Sequence, residues 1–538
     1  MKDALEYARD NNVSAVVFNG DTVEKGTAAN YAILDGIFEE VFGDDPSAEG
    51  IPEFIFNMGN HEFYVAEGDM DYATQVGLYK TFAEKWSRNT ISDNVYYRVI
   101  DGVYYIVAYP GNTGDANALN GYYSTADIAK IEDILEYVVG TGTDKPIILL
   151  THWLLGKTYG GDYDALTGSY LTRFTTLLSD YPQVVHLTGH THFSSLHQRA
   201  LEQDDYTTIN VGQFANGWFV SGLETDETSN TLTYSNVTGY RFNNDDPVSA
   251  RLDANTYFGL LFGFTDSDLI VDRFNFAEER VSQRGWTIPY GITKANKSSK
   301  FYYEDSERSS ETLHFATDTA LTGIKNANGV LKAITFRDVL EYRDCEGYRI
   351  DIKNGSGSIL KTVFWMSRFW ADLGYRSDYY VPVSGLSHTG TYTIAIYAID
   401  HYGNYSTQYS SATFVTDEEY ADKSMFAAGA DFEYTTTLSS YSTLTFDYKI
   451  TTGSTFVLAV TGDSMSNYYG YFTFGSEGED TDYAGVTCVD NGDGWISVTI
   501  TFANVTKIKG VAPETLKRFF IRGTYTDADG YVANITFS

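Results

Sequence analysis

Two histidines one residue apart close the apolar run Val184-Val-His-Leu-Thr-Gly-His-Thr-His192. On an extended backbone side chains alternate between faces, so His190 and His192 point the same way and could offer two imidazole lone pairs to a metal ion. Such a pair can equally be solvated, and it gains meaning only from ligands standing at comparable places elsewhere. Three such places lie upstream. Ser14-Ala-Val-Val-Phe18 runs into Asn19-Gly-Asp21, Pro52-Glu-Phe-Ile-Phe56 runs into Asn57-Met-Gly-Asn-His-Glu62, and Pro146-Ile-Ile-Leu-Leu150 runs into Thr151-His152. Each is a short buried-strand pattern that ends on a polar group. Ligands of open α/β sheets bind beyond the carboxyl ends of the strands, where all four of these ends would meet.

The segments between them must hold those ends in place. Lys2 to Asp10 is amphipathic, residues 27 to 42 and 73 to 88 read as helices, and Ser124-Thr-Ala-Asp127 opens a helix with Ile128, Ile131, Ile134, Leu135 and Val138 along one side. Asn94 to Ile100 and Val103 to Tyr109 flank Asp101-Gly102, a hairpin signal. Strands alternating with helices give an α/β (α+β) unit.

Gly20-Asp21, Gly59-Asn-His-Glu62, His152 and Gly189-His-Thr-His192, in that order, resemble the calcineurin-like metallophosphoesterase superfamily over about residues 1–300. The resemblance implies a four-layer sandwich of two β-sheets flanked by helices. The late hairpin from Tyr257 to Phe274 would belong to the second sheet. It implies two divalent ions, of Mn, Fe, Zn or Mg, with Asp21 bridging them. Asn60, His152 and His190 would complete one site, and His192 would face the other ion. A metal-bridging hydroxide would then hydrolyse a phosphate ester, with His61 assisting the leaving group and Glu62 assisting His61.

One motif of the family is missing. Its Asp-x-His pair, expected on a strand before the first helix, occurs nowhere in these 538 residues. The expectation is an amino-terminally truncated chain, a second ion left with Asp21 and His192 alone, and impaired activity. The alternative is a catalytically degenerate extracellular scaffold or glycan-binding surface protein. Metal-independent hydrolysis has no Ser-His-Asp arrangement to support it. Substrate choice would lie in variable loops, here 112–123 and 156–167.

Composition bounds the partners. A formal charge of −35 without a dense Lys/Arg patch argues against nucleic acid, and no run approaches the apolar length of a membrane helix. The acidic balance and 44 tyrosines resemble bacterial surface-exposed proteins, so an extracellular or cell-surface location is expected, any signal peptide having gone with the missing amino terminus. Cys345 and Cys488 fall in different domains and are expected to be two buried thiols.

Residues 290–312, rich in Lys, Ser and Asn, read as a connection. Residues 313–416 resemble a fibronectin type III sandwich, through Leu386, Tyr392 and the run after Tyr397, and read as a spacer or binding module. Residues 417–538 carry short strands between Gly/Asp/Ser turns and suggest a jelly roll, with Tyr468, Tyr469, Tyr471, Tyr483 and Trp495 as candidate faces for a cell-surface glycan. His186 reads as a packed core histidine and His197 as a candidate substrate contact. Tyr64, Trp153 and Tyr159 could line a pocket.

Overall fold

The computed structural model describes residues 1–538 apart from 66–70, 113–119, 156–157, 159–167, 192–193, 213–239, 242–257, 305–311, 317–320, 326–330, 368, 370–371, 373, 376–378, 383–390, 408, 416–423, 427–430, 436–440, 451–454, 462–467, 476–477, 480–483, 492–493, 506–517 and 524–529. His192, Tyr159, Leu386, Tyr483 and most of the loops 112–123 and 156–167 therefore lie outside the described residues.

The amino-terminal part alternates helix and strand: α1 Lys2–Asp10, β1 Ala15–Asn19, α2 Ala28–Phe42, β2 Glu53–Asn57, α3 Tyr72–Ser87, β3 Val95–Ile100, β4 Val103–Ala108, α4 Thr125–Gly140, β5 Ile147–Leu150, α5 Gly168–Leu178, β6 Val184–Thr188, β7 Leu201–Gln203 and β8 Thr207–Asn210. Local chemistry sets several of these ends. Thr27 caps α2 by accepting from the Asn30 amide, and Ser124 and Asp127 cap α4 reciprocally. Asp101 and Gly102 both adopt positive φ, of 50° and 75°, which is the twist a two-residue hairpin turn between β3 and β4 needs.

β1 and β2 pair in parallel, and β3-β4-β5-β6-β8-β7 form a six-stranded sheet, parallel from β4 through β8 and antiparallel at both margins. The apolar runs are continuous because these strands are covered on both faces. Phe54, Phe56, Ile147 and Leu149 pack with Phe38, Trp86 and Leu135 of the helices. Their neighbours Ile55, Ile148, Leu150 and Val185 pack with Leu269, Val271, Trp286 and Ile288. Phe38 is fully buried against the rings of Phe54, Phe56, Phe82 and Trp86, so its truncation to alanine would cost about 3–5 kcal/mol.

After the two-residue strand β9 (Tyr240–Arg241), the hairpin β10 (Phe258–Phe264) and β11 (Asp268–Asn275) joins β12 (Arg280–Pro289) in a three-stranded antiparallel sheet. The lysine-rich stretch expected to be a connection is instead packed. Tyr290, Ile292 and Phe301 enter the same core as Trp286, and Lys297 pairs with Asp205 across 2.5 Å. Widely spaced apolar residues among lysines carry no periodic signal, which is why composition misled there.

Beyond it come β13 Thr322–Lys325, β14 Leu331–Phe336, β15 Cys345–Lys353, β16 Ile359–Met366, β17 Tyr379–Pro382, β18 Thr391–Asp400 and β19 Tyr409–Val415. They form a three-stranded sheet, β13-β14-β17, and a four-stranded run, β19-β18-β15-β16, to whose edge β9 adds in parallel. Ile334, Phe336, Tyr348, Ile350, Trp365 and Ile394 fill the core between the two sheets. The last part pairs two five-stranded sheets. One orders Ser424–Phe426, Gly530–Phe537, Thr443–Ile450, Ile496–Thr501 and Val486–Asp490, and the other Asp431–Thr435, Arg518–Gly523, Thr455–Thr461, Tyr468–Gly475 and Gly478–Glu479.

Two expectations change here. Trp495 is buried, so it offers no open face to a sugar ring. Cys345 is buried as expected, but Cys488 is half exposed, on a strand at the margin of its sheet. Among the described residues, no helix is long and apolar enough to cross a membrane.

Candidate metal centre

Each strand end described above contributes through a sharp local turn. Asn19 ends β1, and Gly20, at φ 91°, reverses the chain where a Cβ would lie 2.6 Å from His152 Nδ1. Asp21 follows at φ 52°, a strained value for a residue with a side chain. Gly59 after β2 is constrained in the same way, since a Cβ there would meet Asp21 Oδ1 at 2.2 Å. His190, after β6, also adopts a positive φ, of 69°.

Asp21, His152 and His190 offer ligand atoms that all lie within 4.8 Å of one another. Asn60 joins them, its Oδ1 standing 2.8 Å from His190 Nδ1 and its Nδ2 donating to the Tyr64 hydroxyl. Asp21 Oδ1 accepts the His61 backbone amide at 2.9 Å, which leaves Oδ2 for other work. Oδ2 lies 3.0 Å from His152 Nε2, both atoms are buried, and neither has another partner among the described residues.

Asn19 explains the state of that imidazole. Its carbonyl accepts from His152 Nδ1 at 2.8 Å, so Nδ1 carries a proton and the Nε2 position turns toward Asp21. Two lone pairs facing each other across 3.0 Å in a dry site repel unless a proton or a metal ion lies between them. Burial alone would hold Asp21 protonated, but the attraction of His152 and its neighbour His61 overrides it, and the Asp21 carboxyl falls well below the usual carboxylate range. Burial likewise opposes charge on His152, and Asp21 overrides it, raising the imidazole above its ordinary value. The gap between them is built for a positive charge, and a divalent ion fits the donor set of carboxylate, amide oxygen and imidazole.

Asn19 is a residue the sequence did not single out. Its Nδ2 donates to the carbonyls of Thr151 and Leu187, and its Oδ1 accepts from Asn57, so one amide ties β1 to the ends of β2, β5 and β6. A polar residue ending an apolar strand just before Gly-Asp was the available signal.

Glu62, the candidate assistant of His61, is buried, and its carboxylate accepts the amides of Gly59 at 2.6 Å, Thr22 at 2.6 Å, Asp21 at 2.8 Å and Val23 at 3.3 Å. Burial and the Asp21 charge push its pKa up against those donors. Both oxygens face only donors, so a proton placed there would have no acceptor, and the ionised form is held. His61 is different. Its side chain is about one-fifth exposed at the rim, with Nδ1 3.0 Å from the Glu24 carbonyl.

The remaining candidates separate by burial. Trp153 is buried beside His152 and His190, with ring centroids at 5.3 and 6.0 Å. Tyr64 is exposed and stands over His61 at 4.8 Å. His186 lies inside β6 with Nε2 2.7 Å from the Thr151 hydroxyl, and burial pushes its pKa down to about 3. His197 is buried against Glu346, which removes it from substrate contact.

Among known families, the model described as calcineurin-like phosphoesterase matches residues 1–194. No curated protein matches the chain. Among solved structures it is similar to the family 11 carbohydrate-binding module of cellulosomal cellulase Lic26A-Cel5E of Clostridium thermocellum, at 9% identity over 41% of this chain and 95% of that one, TM-score 0.14. It is similar also to the C-terminal domain of the Streptococcus pyogenes antigen I/II-family protein AspA, at 13% identity over 42% and 90% of the two chains, TM-score 0.12. Scores this low carry no argument about fold or ligand.

Proposed function

We propose that this chain hydrolyses a phosphate ester in a metal-dependent reaction, its residues 1–194 being the part that matches the calcineurin-like phosphoesterase family. One observation carries the proposal: Asp21 Oδ2 and His152 Nε2, both buried and unpartnered, face each other across 3.0 Å beside His190 and Asn60.

Asp21, Asn60, His152 and His190 would hold one divalent ion, and Asp21 with His192 would contribute to a second. A divalent ion held there supplies Lewis-acid activation of water and neutralises phosphoryl charge. The chain's own residues do the rest. Asn19 keeps His152 in the ligating tautomer, and Glu62 fixes the Gly20-Asp21 and Gly59 turns so that the donors converge. His61, at the solvent-facing rim, is placed to donate a proton to the leaving oxygen from Nε2 while Nδ1 stays on the Glu24 carbonyl.

A four-layer arrangement of the amino-terminal part is supported by the alternation of its strand residues between two cores. A fibronectin type III-like reading of residues 313–416 is supported by the three-plus-four strand order, and a jelly roll over 417–538 by the two five-stranded sheets. We place the protein outside the cell on its acidic composition.

A second reading is a catalytically degenerate scaffold or glycan-binding surface protein. Turnover of a phosphomonoester and phosphodiester panel with added Mn²⁺, with and without chelator, separates the two. Chelator-sensitive turnover supports hydrolysis. Manganese uptake without turnover of any substrate supports the scaffold.

A further inference from the structure

We propose that the β-module built from β13–β19 is part of the support of the metal site, with Glu346 and His401 acting as positioning residues for the loop that carries His190 and His192. This rests on the metal-site reading above and gives the module a role that a spacer lacks.

The loop leaves β6 at Thr188 and ends in a 3-10 turn at Gln198–Ala200. Its far end is held from two sides. On the phosphoesterase side Arg273, fully buried over the Trp286 ring, donates Nη1 to the carbonyls of Leu196 and His197 at 2.7 and 3.3 Å, and Nη2 to Gln198 Oε1 at 3.2 Å. On the module side the Gln198 amide donates to His401 Nδ1 at 3.1 Å, and Gln198 Nε2 donates to Asp344 Oδ1 at 2.9 Å. His197 accepts the Arg199 amide on Nδ1, so its proton sits on Nε2, which meets Glu346 Oε1 at 3.3 Å. The His197 and His401 rings stack at 4.4 Å, and Phe369 lies against His401 at 4.4 Å.

Burial decides what these contacts mean. His197, Glu346 and His401 are each at most 1% exposed. Interfaces between domains that move freely are polar and wet, and their charges can return to water. Here the hydrogen bonds are made away from water, so losing one partner while the module stays docked leaves a desolvated group unpaired, which is unfavourable. Charge is also complementary, with Arg280 paired to Asp372 and Arg284 to Asp344. The parallel pairing of β9 with β16 ties a second segment of the phosphoesterase part to the module. Metal ligands keep their geometry only where packed and hydrogen-bonded neighbours hold the loop that bears them, and here those neighbours are drawn from about 150–200 residues downstream.

Asp372 supplies the control. It binds Arg280, Ser282 and Asn275 at another part of the same interface and touches nothing in 194–200. In the full-length chain, His401→Phe keeps the ring stack and removes the acceptor for Gln198, His401→Asn replaces that acceptor with an amide oxygen, and Asp372→Asn loosens docking elsewhere. Two readouts apply: amide exchange over residues 189–200 in the metal-free chain, and Mn²⁺ affinity by calorimetry. Expected are faster exchange and about three- to tenfold weaker Mn²⁺ binding in His401→Phe, with near-normal values in His401→Asn and Asp372→Asn. Should His401→Phe fail to fold, Asp344→Ala, at a partly exposed position, is expected to move both readouts in the same direction. Unchanged exchange in these loop-side variants would overturn the positioning role whatever the metal does. Failure of the unaltered chain to bind Mn²⁺, with exchange altered as expected, would instead overturn the metal-site reading and leave a purely structural clamp.

Discussion

The two ends of the loop from Gly189 to Ala200 use similar residues to opposite ends. At one, His190 Nδ1 donates to Asn60 Oδ1, and Asp21 Oδ2 and His152 Nε2 face each other across 3.0 Å with no other partner among the described residues. At the other, His197, Gln198 and Arg273 alternate donors with acceptors against Glu346, Asp344 and His401, and His401 Nε2 is the one ring nitrogen there without a partner. A buried histidine therefore says little by itself. What separates a site from a clamp is whether the facing groups can satisfy each other without an added cation.

The sharpest way to break this contrast is to remove the Asp21 carboxylate. Asp21→Ala is expected to lower phosphoester turnover by about 10³-fold and to abolish Mn²⁺ uptake, read by calorimetry, whereas His197→Phe should leave uptake within about tenfold of normal. Equal losses in both would erase the distinction. Next in size, His61→Ala is expected to lower kcat about 10²-fold while Mn²⁺ affinity stays unchanged, because its ring lies outside the ligand cluster. A matching loss of affinity would make His61 a ligand.

Glu62→Gln separates a turn-holding role of Glu62 from assistance to His61. Turning an amide group toward four backbone donors should destabilise the amino-terminal part by about 2 kcal/mol in urea unfolding, while the pH profile of kcat keeps its shape. Loss of one limb of that profile would restore Glu62 to proton transfer.

The smallest effect is in pH. In the metal-free chain His152 is raised, so its contribution is complete below the ordinary histidine value near 6.5 and fades as pH climbs through the raised folded value. Asp21 is lowered, so its contribution is present above about pH 4 and is lost only in stronger acid. His186, pushed down to about 3, and His401, also pushed down by burial, act the other way and lose stability as pH falls below about 6.5. Between about pH 6.5 and 9 His152 should lower the melting temperature of the metal-free amino-terminal part, while the Met1 ammonium, whose pKa burial lowers, acts in the opposite direction. Saturating Mn²⁺ should flatten that slope, since a metal then occupies the place of the proton. An identical slope with and without Mn²⁺ would mean the ion binds elsewhere.

Much of the frame was legible because it is local. The capping box at Ser124, the hairpin at Asp101-Gly102 and the strands ending at Asp21, Asn60, His152 and His190 all announce themselves within a few residues. What was not legible depends on distant pairs. Asn19 acts on carbonyls 132 and 168 residues away, and His197 meets Glu346 149 residues on. The surroundings of Glu62 were not legible either, because the 3-10 turn His61–Phe63 sends two side chains adjacent in sequence to different environments. The module after residue 313 looked like a spacer because its docking residues, Asp344, Glu346, Asp372 and His401, are scattered along the sequence and share no motif.

The central claim is that Asp21, Asn60, His152 and His190 hold a divalent cation, and anomalous diffraction at the manganese edge from crystals grown with Mn²⁺ tests it most directly. A peak roughly 2.0–2.3 Å from Asp21 Oδ2 and His152 Nε2 is the expected result. Manganese bound to the crystal with no peak within coordination distance of either atom would contradict it.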